Sequence, residues 1–130
     1  MNWNLTDSND PPIFQESVRR ELSGAIVIIA ALDCSTKSRV RELPCKFDDG
    51  RPVLQPLRSA NFPMGLPNIK GMDKTRVAQD NDASEFVLEE IRRLDALGGA
   101  SVRENPANSY HWDTPSEICM WDSDRWWDKY

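Results

Sequence analysis

A thiol and a carboxylate stand at two places where this chain changes from apolar to polar, and both places read as the carboxyl ends of strands. The run Ala25-Ile26-Val27-Ile28-Ile29-Ala30-Ala31-Leu32 gives way to Asp33-Cys34-Ser35-Thr36-Lys37-Ser38-Arg39. Ala100-Ser101-Val102 gives way to Arg103-Glu104-Asn105-Pro106. In open α/β sheets ligands collect outside the carboxyl ends of the strands, so the Cys34 thiol is placed to meet a substrate, and the Glu104 carboxyl group is expected to share its rim.

The elements that must position these groups follow from periodicity. Asp10 before Pro11-Pro12 predicts a helix start, with Phe14, Val18 and Leu22 recurring every four residues. Ile26 to Ile29 is β-branched without alternation, which predicts a strand covered on both faces, as in a parallel sheet. From Asp33 to about Met72 no period is sustained and five of the nine prolines occur, so 33–72 is expected to be one long loop. From Asp73, the residues Val77, Ala83, Val87, Ile91 and Leu94 line one face of a predicted helix that Gly98-Gly99 ends. Strand, crossover, helix, strand is an order that yields two parallel strands. Thr114-Pro115-Ser116-Glu117 has the form of a capping box and predicts a terminal helix through Asp128, within an expected helical tail over 114–130.

Composition bounds the rest. The 130 residues and 39% hydrophobic content fit one domain, and the formal charge of -5 argues against binding nucleic acid over the whole surface. Charge is nevertheless segregated. Lys37, Arg39, Arg41, Lys46, Arg51 and Arg58 outnumber Glu42, Asp48 and Asp49 in the loop, whereas 104–130 holds six acids against Arg125 and Lys129. The three cysteines Cys34, Cys45 and Cys119 are widely spaced, and the first ten residues lack the charged-then-apolar order of a secretory signal, so an intracellular, reducing compartment is expected. The eight-residue apolar run is far short of the roughly 20 residues that span a bilayer, so no membrane association is expected. His111 is the only histidine and reads as an ordinary polar loop residue, with no metal site expected. Asp48-Asp49-Gly50 reads as a turn.

Two loop chemistries are excluded by counting. Ala31 and Thr36 stand where a phosphate-binding loop ending in Lys37-Ser38 requires glycines. A cysteine phosphatase loop requires Arg six residues after its nucleophile, and Val40 stands there. The pieces that do match are Cys34 with Ser38 four residues on, Glu104-Asn105 at the next strand end, Ser38-Arg39-Val40-Arg41, the segment from Leu57 to Pro67, and Trp112. In this order and spacing, from about Gly24 to Trp112, the chain resembles DNA cytosine-5 methyltransferases and the related methyltransferase-like domains of mobile elements. Asp33 stands in place of the proline that precedes the family's nucleophile, and Pro106 in place of the usual valine after Glu-Asn.

The resemblance implies an α/β, Rossmann-like three-layer fold, here partial, with a small parallel sheet, a long Pro-rich loop and a C-terminal Trp-rich helix. It implies Cys34 as the nucleophile toward C6 of a flipped cytosine and Glu104 as the acid that binds the ring. Asn105 would shape the pocket, with Ser38, Arg39, Arg41 and Arg58 as substrate-binding residues and nucleic acid held by the Lys37–Arg58 loop. S-adenosylmethionine would be the cofactor if the activity is retained. No Gly-x-Gly follows a strand, however, so the cofactor half is expected to be missing and independent methyl transfer with it. The alternative is an interaction module that docks on a protein or companion chain through Trp121, Trp126 and Trp127, with Trp121 and Ile118 at core spacing and Trp126 and Trp127 on opposite helix sides.

Overall fold

The structure, a computed structural model, describes residues 11–43 and 54–122, the side chains of 11–14 excepted. Its contacts gather into two compact units, one formed by 1–32 with 78–104 and the other by 33–77 with 105–130.

In unit one, helix α1 spans Pro11–Leu22, as the proline start and the four-residue spacing require, and Arg19 and Arg20 in its last turn complement the helix dipole. Strand β1, Val27–Ala31, pairs in parallel with β2, Ala100–Glu104, in a register that sets Val27 beside Ala100 and Ala31 beside Glu104. Between them in sequence runs α2, Gly71–Ala96, which starts two residues before the expected Asp73. The predicted face of α2 is buried throughout: Val77, Ala83, Val87, Ile91 and Leu94, joined by Phe86, Leu88 and Glu90. Its end is a paired-bond left-handed cap. Gly98 N–H donates to the Asp95 carbonyl at 2.9 Å and Gly99 N–H to the Leu94 carbonyl at 3.0 Å, while Gly98 takes φ 78°. A Cβ on Gly99 would collide with the Leu94 side chain and stand 3.0 Å from the Ile26 carbonyl, so close approach of helix end and strand start demands glycine there.

Expectation and structure part at the sheet. β1 was expected to be covered on both faces. Its residues instead alternate, with Ile28 and Ala30 half-buried and Val27 and Ile29 exposed, Ile29 at 78%. The reason is size: among the described residues the sheet has two strands, and Val102 of β2 is exposed on the same side. One ion cluster ties α1 to α2. Arg19 donates from Nε to Glu90 at 2.8 Å, reaches Glu89 at 3.5 Å, and lies over the Phe86 ring at 5.5 Å. That hydrogen bond to Glu90 is the main cause of a raised Arg19 pKa.

Unit two is less regular, and the expected 33–72 loop is only partly irregular. A 3₁₀ turn spans Arg39–Glu42, and Ser59 and Phe62 form an antiparallel bridge. Its described core contains Leu57, Val77, Tyr110 and Met120. Gly65 is held at φ 126° with its α-carbon hydrogens directed at Val77, whose Cγ1 would lie 2.7 Å from an added Cβ. Helix α3 spans Pro115–Trp121 and closes at Asp122, short of the expected Asp128, and 123–130 lie outside the described residues with Trp126 and Trp127. Cys45 and Asp48-Asp49-Gly50 also lie outside them. Ile118 and Trp121 are exposed rather than core, because α3 turns Glu117 and Met120 inward. Among the described residues no helix is long and apolar enough to cross a membrane.

Ile91 is fully buried and Met72 is 70% exposed. Ile91→Ala is expected to cost about 2–5 kcal/mol by urea denaturation, through lost transfer energy and a residual cavity, and Met72→Ala less than about 0.5 kcal/mol.

Candidate functional site

Cys34 sits on a short turn that begins two residues after Leu32. Asp33 accepts from the Ser35 N–H and from the Ser35 hydroxyl, each at 2.9 Å, and the Lys37 N–H donates to the Cys34 carbonyl at 3.0 Å. Two guanidinium groups clamp the same turn. Arg41 donates from Nε to the Ser35 carbonyl at 2.7 Å and from Nη1 to the Gln55 carbonyl at 3.1 Å. Arg58 donates to the Pro63 carbonyl at 2.6 Å and to Thr36 Oγ1 at 3.0 Å. The thiol is half-buried on a turn held at the Ser35 carbonyl by Arg41 and at the Thr36 hydroxyl by Arg58, the fixed presentation that a nucleophile needs.

The basic loop was expected to offer its cations to phosphates. Two of its described members, Lys37 and Arg58, lie inside, and Arg39 and Arg41, half-buried, are engaged by groups of the chain itself. Lys37 and Arg58 are buried and Arg41 is spent on carbonyls, because a proline-rich segment with few ladder bonds leaves carbonyls that long donors satisfy. Arg39 pairs with Asp113 at 2.9 Å and lies 4.3 Å over the Tyr110 ring, a contact that combines charge with cation–π attraction. Ser38 caps the 3₁₀ turn by accepting from the Val40 N–H at 3.2 Å. Asn105 is half-buried in unit two, and Glu104, the last residue of β2, is exposed in unit one. The structure thus brings Cys34, Arg41 and Arg58 together in one unit and leaves Glu104 in the other.

Sequence reasoning missed a second polar group in unit two. His111, expected on a polar loop, is 1% exposed, with Nε2 at 2.8 Å from Glu117 Oε1 and Nδ1 buried without a hydrogen-bond partner. The expected capping box is accordingly absent. Thr114 stands at the N-cap, yet its hydroxyl donates to the His111 carbonyl at 3.0 Å, and Glu117 turns to the imidazole. The available signal was the setting of His111 between Tyr110 and Trp112, which favours burial over a solvated loop. Trp112 bonds the Pro106 carbonyl at 2.9 Å through its indole N–H and packs edge-on against Trp121. Among the described residues no group of histidine, cysteine and acidic side chains is placed to hold a metal ion.

The glycines do not fit S-adenosylmethionine. Gly24 precedes β1, Gly65 lies in a turn, Gly71 opens α2 and Gly98-Gly99 close it, so among the described residues no glycine follows a strand where backbone could approach such a cofactor, and Gly50 lies outside them.

Tyr110 donates its hydroxyl to the Glu42 carboxylate, and this bond, then burial, raises its pKa above the ordinary 10.0. The raised value belongs to the folded chain, so the stabilisation is whole below pH 10.0 and is lost as pH rises through the folded value. Tyr110→Phe is expected to cost on the order of 1 kcal/mol at neutral pH, with the gap to the unsubstituted protein closing above about pH 10 in urea titrations. Glu117→Ala is expected to cost about 1–3 kcal/mol by leaving the buried imidazole without its polar neighbour, and adding His111→Ala to cost less than the sum of the two.

No family model matches this chain, and neither a curated protein nor a solved structure is similar to it.

Proposed function

We propose that the chain is a partial, degenerate cytosine-5 methyltransferase-like domain that keeps the nucleophile position and does not transfer methyl groups by itself. The observation that carries this reading is the parallel register of β1 and β2, with Cys34 following the carboxyl end of one strand and Glu104 ending the other. In the chemistry of that family the thiolate adds to C6 of cytosine, the C5–C6 double bond opens toward C5, and a carboxyl group at N3 relieves the developing charge. In this reading Cys34 corresponds to the family's thiol and Glu104 to its ring-binding carboxyl group, by their places in the sequence after β1 and at the end of β2. The lack of a glycine turn after either strand supports the absence of independent methyl transfer.

The test uses the intact chain and a single-stranded oligonucleotide carrying a mechanism-based cytosine analogue. A covalent adduct is expected by mass spectrometry, absent in Cys34→Ser and formed at least about tenfold more slowly in Glu104→Gln. Calorimetry with S-adenosylmethionine is expected to show no heat of binding. Failure of the adduct to form, or its survival in Cys34→Ser, would sink the nucleophile assignment; micromolar cofactor binding, about -8 kcal/mol, would sink the claim that methyl transfer is lost.

A further inference from the structure

β1 has one partner strand, and its other edge is open among the described residues. Natural edge strands are protected by charged residues, proline or bulges, because their unpaired N–H and C=O groups template the pairing of another chain. Ile26 to Leu32 contains neither a charge nor a proline. A cavity of about 890 Å³ runs beside it, walled by every residue from Val27 to Leu32 together with Val18 and Leu22 of α1 and Phe86 and Val87 of α2. No residue of β2 lines it, and inward- and outward-facing residues of β1 both do, so it follows the free edge of the strand.

We infer that this edge pairs with the same edge of a second copy of the chain, antiparallel, about a two-fold axis at Ile29. Three observations select a second copy. The strand is uncharged, and of the two acids on the cavity wall, Glu21 and Glu90, the second is already neutralised by Arg19 and Arg93, so copy meets copy without like charges opposed along the strand. Side-chain size is self-complementary: the axis sets Val27 against Ala31 and Ile28 against Ala30 of the other copy, bulky against small, with Ile29 against itself. The pairing also turns a two-stranded sheet, too small for independent stability, into a continuous four-stranded one with β1 at its centre, and continues the exposed stripe of Val27 and Ile29 across the axis. The inference rests on unit one alone and is independent of the methyltransferase-like reading.

Sedimentation velocity of the intact chain over a roughly hundredfold range of concentration tests it. A reversible monomer–dimer equilibrium is expected. Ile29→Lys, at a position 78% exposed in the single chain, should weaken it at least about tenfold by opposing two ammonium groups, and Met72→Lys should leave it unchanged. In a Cys34→Ser, Cys45→Ser, Cys119→Ser background, Ile29→Cys is expected to form a disulfide-linked dimer on mild oxidation and Met72→Cys none. A chain that stays monomeric throughout overturns the inference. So does a dimer that Ile29→Lys leaves intact and Ile29→Cys fails to cross-link, which would place the contact on another surface.

Discussion

Parallel pairing of β1 with β2 is the constraint on which the rest of the chain depends. Two antiparallel strands can be joined by two residues, but parallel strands need a connection long enough to return to the starting end. The connection from Leu32 to Gly99 meets that requirement, and α2 is its longest described element. The helix must reach the start of β2 at a sharp angle, and Gly98 and Gly99 permit this. One takes the left-handed conformation, and the other leaves room for Leu94 and the Ile26 carbonyl. The same constraint decides which residues follow strand ends. Cys34 comes after β1 and Glu104 closes β2 because both strands run the same way.

Unit two solves a different problem. It has little regular structure to satisfy its backbone, and it uses long cationic side chains in that role. Arg41 and Arg58 between them reach three carbonyls, of Ser35, Gln55 and Pro63, and Arg58 adds a bond to Thr36. Burying a guanidinium is costly unless its donors are used, so these bonds explain how Arg58 can lie inside. Positive charge that would otherwise face solvent is thereby converted into rigidity around the Cys34 turn. Arg39 is divided between Asp113 and the Tyr110 ring, and Tyr110 in turn serves Glu42.

What could be read from the sequence, and what could not, follows from the range of the forces involved. The start of α1 at Pro11, the buried stripe from Val77 to Leu94 and the glycine stop depend on neighbours within a few turns, and all were legible. The parallel order of β1 and β2 followed from element order alone. The coverage of β1 was not legible, because its β-branched run is the same whether one face or two are packed. Glu117 matched a local capping pattern and was captured by His111, a competition between near and middle-range partners that spacing cannot decide. The direction of the basic side chains was lost for the same reason: a run of arginines has one appearance whether it faces solvent or carbonyls.

The size of the sheet also limits the chemistry. In α/β sheets each functional loop follows a strand, so the number of strand ends bounds the number of loops a site can draw upon. Among the described residues there are two, one leading into the Asp33–Lys37 turn and the other into Glu104-Asn105-Pro106. Pairing through β1 enlarges the sheet without relieving that limit. An antiparallel neighbour points its own carboxyl ends the opposite way, so the second copy adds strands where packing needs them and no loop beside Cys34. Dimerisation through β1 therefore pairs that open edge and leaves the number of strand ends available to each copy unchanged.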